Sequence, residues 1–194
     1  MSQQIRDARL VLDRVLKHPD NLLLCHTRQG RGRRWQENAL NHAAVFLVVA
    51  AWQAFVEATA EAIRDTIRPP AGSPLLPRFN LVNADFERTL KRYNTPNAYN
   101  TVQLLSTLGF DPTPSWTWPV HGLPRSAASI ANELGMWLEV RHALAHGSNL
   151  PPLAVVTGFA SGVPNMRRTD AVACRQFFVG IADATRSGAD AQFP

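Results

Sequence analysis

The chain has 194 residues, 45% of them hydrophobic and 18% charged, a length and balance that suit one domain with a sizeable core and exclude a disordered or collagen-like chain. The formal net charge is +5, and of the 20 Lys and Arg residues only Lys17 and Lys91 are lysines. That arginine bias fits phosphate recognition, and it equally fits the codon usage of a GC-rich genome. Cys25 and Cys174 form no Cys-x-x-Cys pair, and the N-terminus has no charged start followed by an apolar run, so a reducing cytoplasm is expected.

In chain order, Ile5, Ala8, Val11, Leu12, Val15 and Leu16 recur at spacings of three and four, which predicts an amphipathic helix over residues 3–18 that stops near Pro19. Residues 27–34, Thr-Arg-Gln-Gly-Arg-Gly-Arg-Arg, read first as a solvated basic connector and second as a contact to RNA backbone. A long helix is expected over 35–68, closed by Pro69 and Pro70. Its apolar stretch, residues 43–56, is interrupted by Gln53 and flanked by Asn41, His42 and Glu57. That stretch is too short and too polar at its edges to span a bilayer, so it reads as a buried core helix and no membrane partner is expected.

Shorter helices are expected over 83–93 and 96–108, with Pro96 in a first turn. Residues 111–124 hold four prolines together with Trp116 and Trp118, which predicts an ordered loop anchored by indoles; stacking on unpaired bases is the lesser reading. A helix over 125–146 should turn Ile130, Leu134, Trp137, Leu138 and Leu144 inward, with Gly147 as its left-handed stop. Residues 153–156 read as extended, and a last helix is expected over 169–186. The class is therefore all-α, a single domain over 1–194, with no internal repeat.

Residues 137–147 read Trp-Leu-Glu-Val-Arg-His-Ala-Leu-Ala-His-Gly. The planar guanidinium of Arg141 suits a phosphate, and the imidazole of His146 can move a proton near neutral pH. Five helical positions turn through about 500°, which leaves Arg141 and His146 roughly 140° apart, whereas His142 and His146 share a face. The latter spacing also suits a metal pair. Zinc needs further ligands, however, and no second His-x3-His or Cys-x2-Cys supplies them, so neither metal nor cofactor is expected. The plainer reading is that Arg141 and His146 complement the negative end of the helix dipole. His26, His42 and His121 default to surface or satisfied core positions.

The Arg141-x4-His146 arrangement followed by Gly147 resembles the signature of the HEPN superfamily. Upstream, residues 51–57, Ala-Trp-Gln-Ala-Phe-Val-Glu, resemble the tryptophan-containing helix of the RiboL-PSP-HEPN family, with Gln53 where glutamate is commoner. Asn94-Thr95-Pro96-Asn97, and then Leu108-Gly109-Phe110 with Trp116, resemble that family's middle segment, and His142 stands where asparagine is frequent. The resemblance covers residues 35–147. It implies a helical bundle that forms a homodimer, so that two motifs meet in one composite active site. It also implies metal-independent endoribonuclease activity on RNA, with Arg141 on the phosphate and His146 as base and acid; His142 either orients the site or contacts RNA. A toxin or antiviral effector held in check by an antitoxin protein belongs to the same chemistry. A non-catalytic HEPN module that binds RNA, nucleotide or a protein partner is the alternative.

Overall fold

The computed structural model describes residues 3–25, 35–120, 123–160 and 162–194. Among these, six α-helices form the body: α1 (Gln3–Leu24), α2 (Trp35–Ile67), α3 (Leu76–Lys91), α4 (Ala98–Ser106), α5 (Ala127–Ala145) and α6 (Arg168–Gln192). Two short antiparallel hairpins complete it, β1 (Pro119–Val120) with β2 (Leu123–Pro124) and β3 (Gly158–Ala160) with β4 (Val163–Asn165). The class is all-α, as composition and periodicity predict. The basic segment 27–34, His26 and His121 lie outside the described residues.

Helix α2 is the axis of the fold. α1 packs along its length more extensively than any other pair of elements, and α6 and α5 cover its remaining faces. Trp52, Phe55, Val56 and Ile63 of α2 are fully buried, and Trp52 lies against Phe55 and Phe178 at 5.7 and 6.1 Å between ring centroids. By length and mean hydropathy α2 is long and apolar enough to cross a membrane, so the length argument drawn from residues 43–56 does not hold. More than half of its most apolar window is buried against neighbouring helices, which is the packing a core helix requires.

Several boundaries differ from expectation for physical reasons. α1 does not stop at Pro19 but continues to Leu24. Proline removes one helical hydrogen bond, but this proline is buried, Leu23 beyond it is buried, and α6 fastens the last turn through Arg175 to Asp20 and Arg168 Nε to the Leu23 carbonyl. α3 begins at Leu76 rather than residue 83, because Pro77 is well accommodated in a first turn where no intrahelical N–H bond is due. α6 extends to Gln192, beyond residue 186. Residues 153–156 are not a strand; Val156 N–H bonds the Leu153 carbonyl in a turn, and the extended pairs come later as β3 and β4.

In the described part of the proline-rich segment, residues 111–120 and 123–124, both indoles are anchored, as the sequence predicts. Trp116 is fully buried and donates from Nε1 to Thr185 Oγ1 of α6 at 2.9 Å. Trp118 packs on Phe177. Gly180 sits beneath that indole, and a Cβ there would lie 2.9 Å from Trp118.

Candidate functional site

Helix α5 carries the motif and is closed at both ends. Ser126 caps its start by accepting the Ser129 N–H at 3.2 Å. At its end His146 is the last residue before the turn, its N–H bonded to the His142 carbonyl at 3.1 Å. Gly147 then takes a φ of +64°, a left-handed conformation that costs residues with a Cβ. Ser148 N–H bonds Ala143 O at 2.9 Å and Gly147 N–H bonds Leu144 O at 3.4 Å. This reciprocal pair satisfies carbonyls the helix would otherwise leave open and fixes the chain reversal directly after His146.

On the inner face, Ile130, Leu134, Trp137, Leu138, Val140 and Ala143 are buried, as the periodicity predicts for the first four, while Leu144 is only half-buried. On the outer face His142 and His146 are exposed, with ring centroids 4.3 Å apart and planes tilted by 55°. Arg141 turns another way. Its guanidinium carbon lies 5.0 Å above the ring of Phe46 on α2, a cation–π contact. The structure thus joins the two histidines and leaves Arg141 on the α2 side of the helix. Among the described residues no group of three or more His, Cys, Asp or Glu comes together to hold a metal.

His142 opens onto a shallow groove of about 530 Å³. Leu138, Glu139 and Ala143 of α5 line it with Ser148 of the following turn and with Thr95 and Asn97 of the loop before α4. That loop is held from α2: Trp52 Nε1 donates to the Pro96 carbonyl at 3.0 Å, and Gln53 Nε2 donates to the Tyr93 carbonyl at 3.2 Å and to Glu57 at 2.9 Å. Segments 51–57 and 94–97 are thus joined by hydrogen bonds and His142 shares a groove with 94–97, whereas Gly109, Phe110 and Trp116 pack elsewhere, against the C-terminal part of α6.

Behind the Gly147 turn lies a second cavity of about 300 Å³, lined by Asn38, His42, Leu144, Gly147 and Asn165 among others. Asn38 Oδ1 and His42 Nε2 are buried there without a hydrogen-bond partner. Burial lowers the pKa of His42 from its ordinary 6.5, which favours the neutral imidazole. Of the two positions expected for His42, surface or satisfied core, neither is observed: the residue is half-buried with Nε2 unpaired. The available signal was a polar pair four residues apart, Asn38 and His42, leading into an apolar run.

Comparison with family models, with curated proteins and with solved structures finds no match to this chain.

Proposed function

We propose that the chain is a metal-independent endoribonuclease of the HEPN type that acts on RNA as a homodimer. The observation that carries this reading is the exposed His142 and His146 pair, 4.3 Å between ring centroids, at a helix end fixed by the Gly147 turn. Cleavage through the RNA's own 2′-hydroxyl needs a base to take that proton and an acid to protonate the departing 5′-oxygen, while a cation must sit on the phosphate. His146 supplies base and acid from two chains, Arg141 supplies the cation, and His142 orients its neighbour. The 2′-oxygen forms a bond to phosphorus as the bond to the 5′-oxygen breaks, leaving a 2′,3′-cyclic phosphate and a 5′-hydroxyl.

Arg141 lies on Phe46, away from the imidazole pair of its own chain. A two-fold arrangement in which each chain's arginine faces the other's histidines would bring the cation and the imidazoles together. The same observation supports a second reading, a HEPN module that binds RNA without cutting it, because one chain alone does not assemble cation and imidazoles. Labelled single-stranded RNA separates the two. The proposal predicts cyclic-phosphate ends from the wild type, a bell-shaped pH profile, and a loss of about 100-fold or more in His146→Ala, the usual worth of general acid–base catalysis. Arg141→Ala should lose rate comparably. Binding without product in the wild type supports the module. The toxin reading has its own readout: growth inhibition on expression, relieved by His146→Ala and by a protein antitoxin.

A further inference from the structure

We infer that the groove between α3 and α4 is a track for single-stranded RNA leading to the motif, an inference that rests on the RNA reading above. The groove is about 600 Å³, larger than the one beside His142, and no aliphatic side chain lines it. Arg88 and Arg92, one helical turn apart, line it from the α3 side; Asn100 and Gln103 line it from α4 with amide donors, beside Thr107, whose hydroxyl donates to the Leu104 carbonyl. Asp85 is the one carboxylate in the lining, and it lies 3.4 Å from Arg88. Arg92 is exposed and has no ion-pair partner among the described residues. A lining of two guanidiniums and neutral amide donors recognises an extended anion and offers nothing to an apolar peptide.

Two further observations point to a nucleic-acid strand. Tyr99 is 72% exposed and, four residues before the groove residue Gln103, shares a face of α4 with it, so helical spacing puts an exposed aromatic residue next to the groove lining. Basic grooves bordered by exposed aromatics are how proteins hold single strands, the cations on phosphates and the rings on bases. The groove also adjoins the candidate site: Tyr93 belongs to its wall, while Thr95 and Asn97 of the same loop belong to the wall of the His142 groove. This loop is a fixed ridge, held by Trp52 Nε1 to Pro96 O at 3.0 Å, Asn100 Nδ2 to Thr95 O at 2.8 Å, and Tyr93 Oη with Thr101 Oγ1 at 2.8 Å. A polymer reaches across such a ridge; a mononucleotide does not.

The test uses 2′-O-methylated single-stranded RNA, which lacks the attacking hydroxyl and permits binding measurements on the wild type. Affinity is measured against salt for the wild type, for Arg88→Ala/Arg92→Ala and for Tyr99→Ala; all three positions are exposed. Two lost phosphate contacts should flatten the slope of log affinity against log salt by about 1.4. Tyr99→Ala should weaken binding by about fivefold or more with the slope unchanged. If the double-arginine variant keeps wild-type affinity and slope while the wild type binds RNA, the track is overturned and the RNA reading stands. If the wild type binds no RNA at any salt, both fall together.

Discussion

The turn that follows His146 depends on one backbone angle, and alanine substitutions at two glycines of the same helix region should move stability in opposite directions. Gly147 has a φ of +64°, and a Cβ built there meets nothing within 4 Å, so the cost of Gly147→Ala is backbone strain alone. That strain amounts to about 1–2 kcal/mol. Gly135, within α5, also has open space around a built Cβ but no positive φ. Gly135→Ala should therefore stabilise by about 0.5–1 kcal/mol through the helix propensity it restores. For a domain of this size each kcal/mol shifts Tm by about 2–4 °C, giving a fall of roughly 2–8 °C for Gly147→Ala and a rise of a few degrees for Gly135→Ala. Gly147→Asn should fall between wild type and alanine, because asparagine visits the left-handed region more readily. Urea denaturation with unchanged m-values reads these differences. A Gly147→Ala protein as stable as wild type, or a destabilised Gly135→Ala, would refute the reasoning.

Other perturbations follow from the same geometry. Trp52→Phe removes the donor to the Pro96 carbonyl and leaves space in the core, so it should cost about 2–4 kcal/mol in urea unfolding; Trp118→Phe, half-buried on Phe177, should cost less, and equal costs would contradict the anchoring role of Trp52. His42 carries a pH signature. Its folded pKa is below the ordinary 6.5, so as pH falls through 6.5 the unfolded chain takes up a proton that the folded chain resists, and the stability contributed by the neutral form above that pH is lost. The stability of wild type minus that of His42→Gln should therefore shrink between pH 8 and pH 5; a difference that stays constant or grows in acid would show that His42 is not held neutral by burial.

The helices of this chain were legible where apolar residues recur at helical spacing, as in α2 and in α5 from Ile130 to Leu138. The Gly147 stop was equally legible, because a left-handed residue after a helix is a local demand. What sequence missed were non-local effects. Pro19 reads as a stop, yet Arg175 and Arg168 of α6, more than 140 residues away, hold the turn beyond it. The hairpin of β3 and β4 carries no alternating pattern to betray it, since its six residues include Gly158 and Pro164. At the candidate site, helical angle alone anticipated that His142 and His146 share a face and that Arg141 does not. The partner it could not give was Phe46, which captures the guanidinium from another helix. The Arg88 and Arg92 groove was likewise hidden, because it exists only where α3 and α4 lie side by side.

The central claim, RNA cleavage by the histidines and arginine at the end of α5 without a metal, meets its most direct test in one reaction. Purified wild type and His146→Ala are incubated with labelled single-stranded RNA in excess EDTA, with folding and dimerisation verified for both. The account predicts fragments ending in 2′,3′-cyclic phosphate from the wild type alone. Intact RNA with both proteins, or equal cleavage by both, would contradict it.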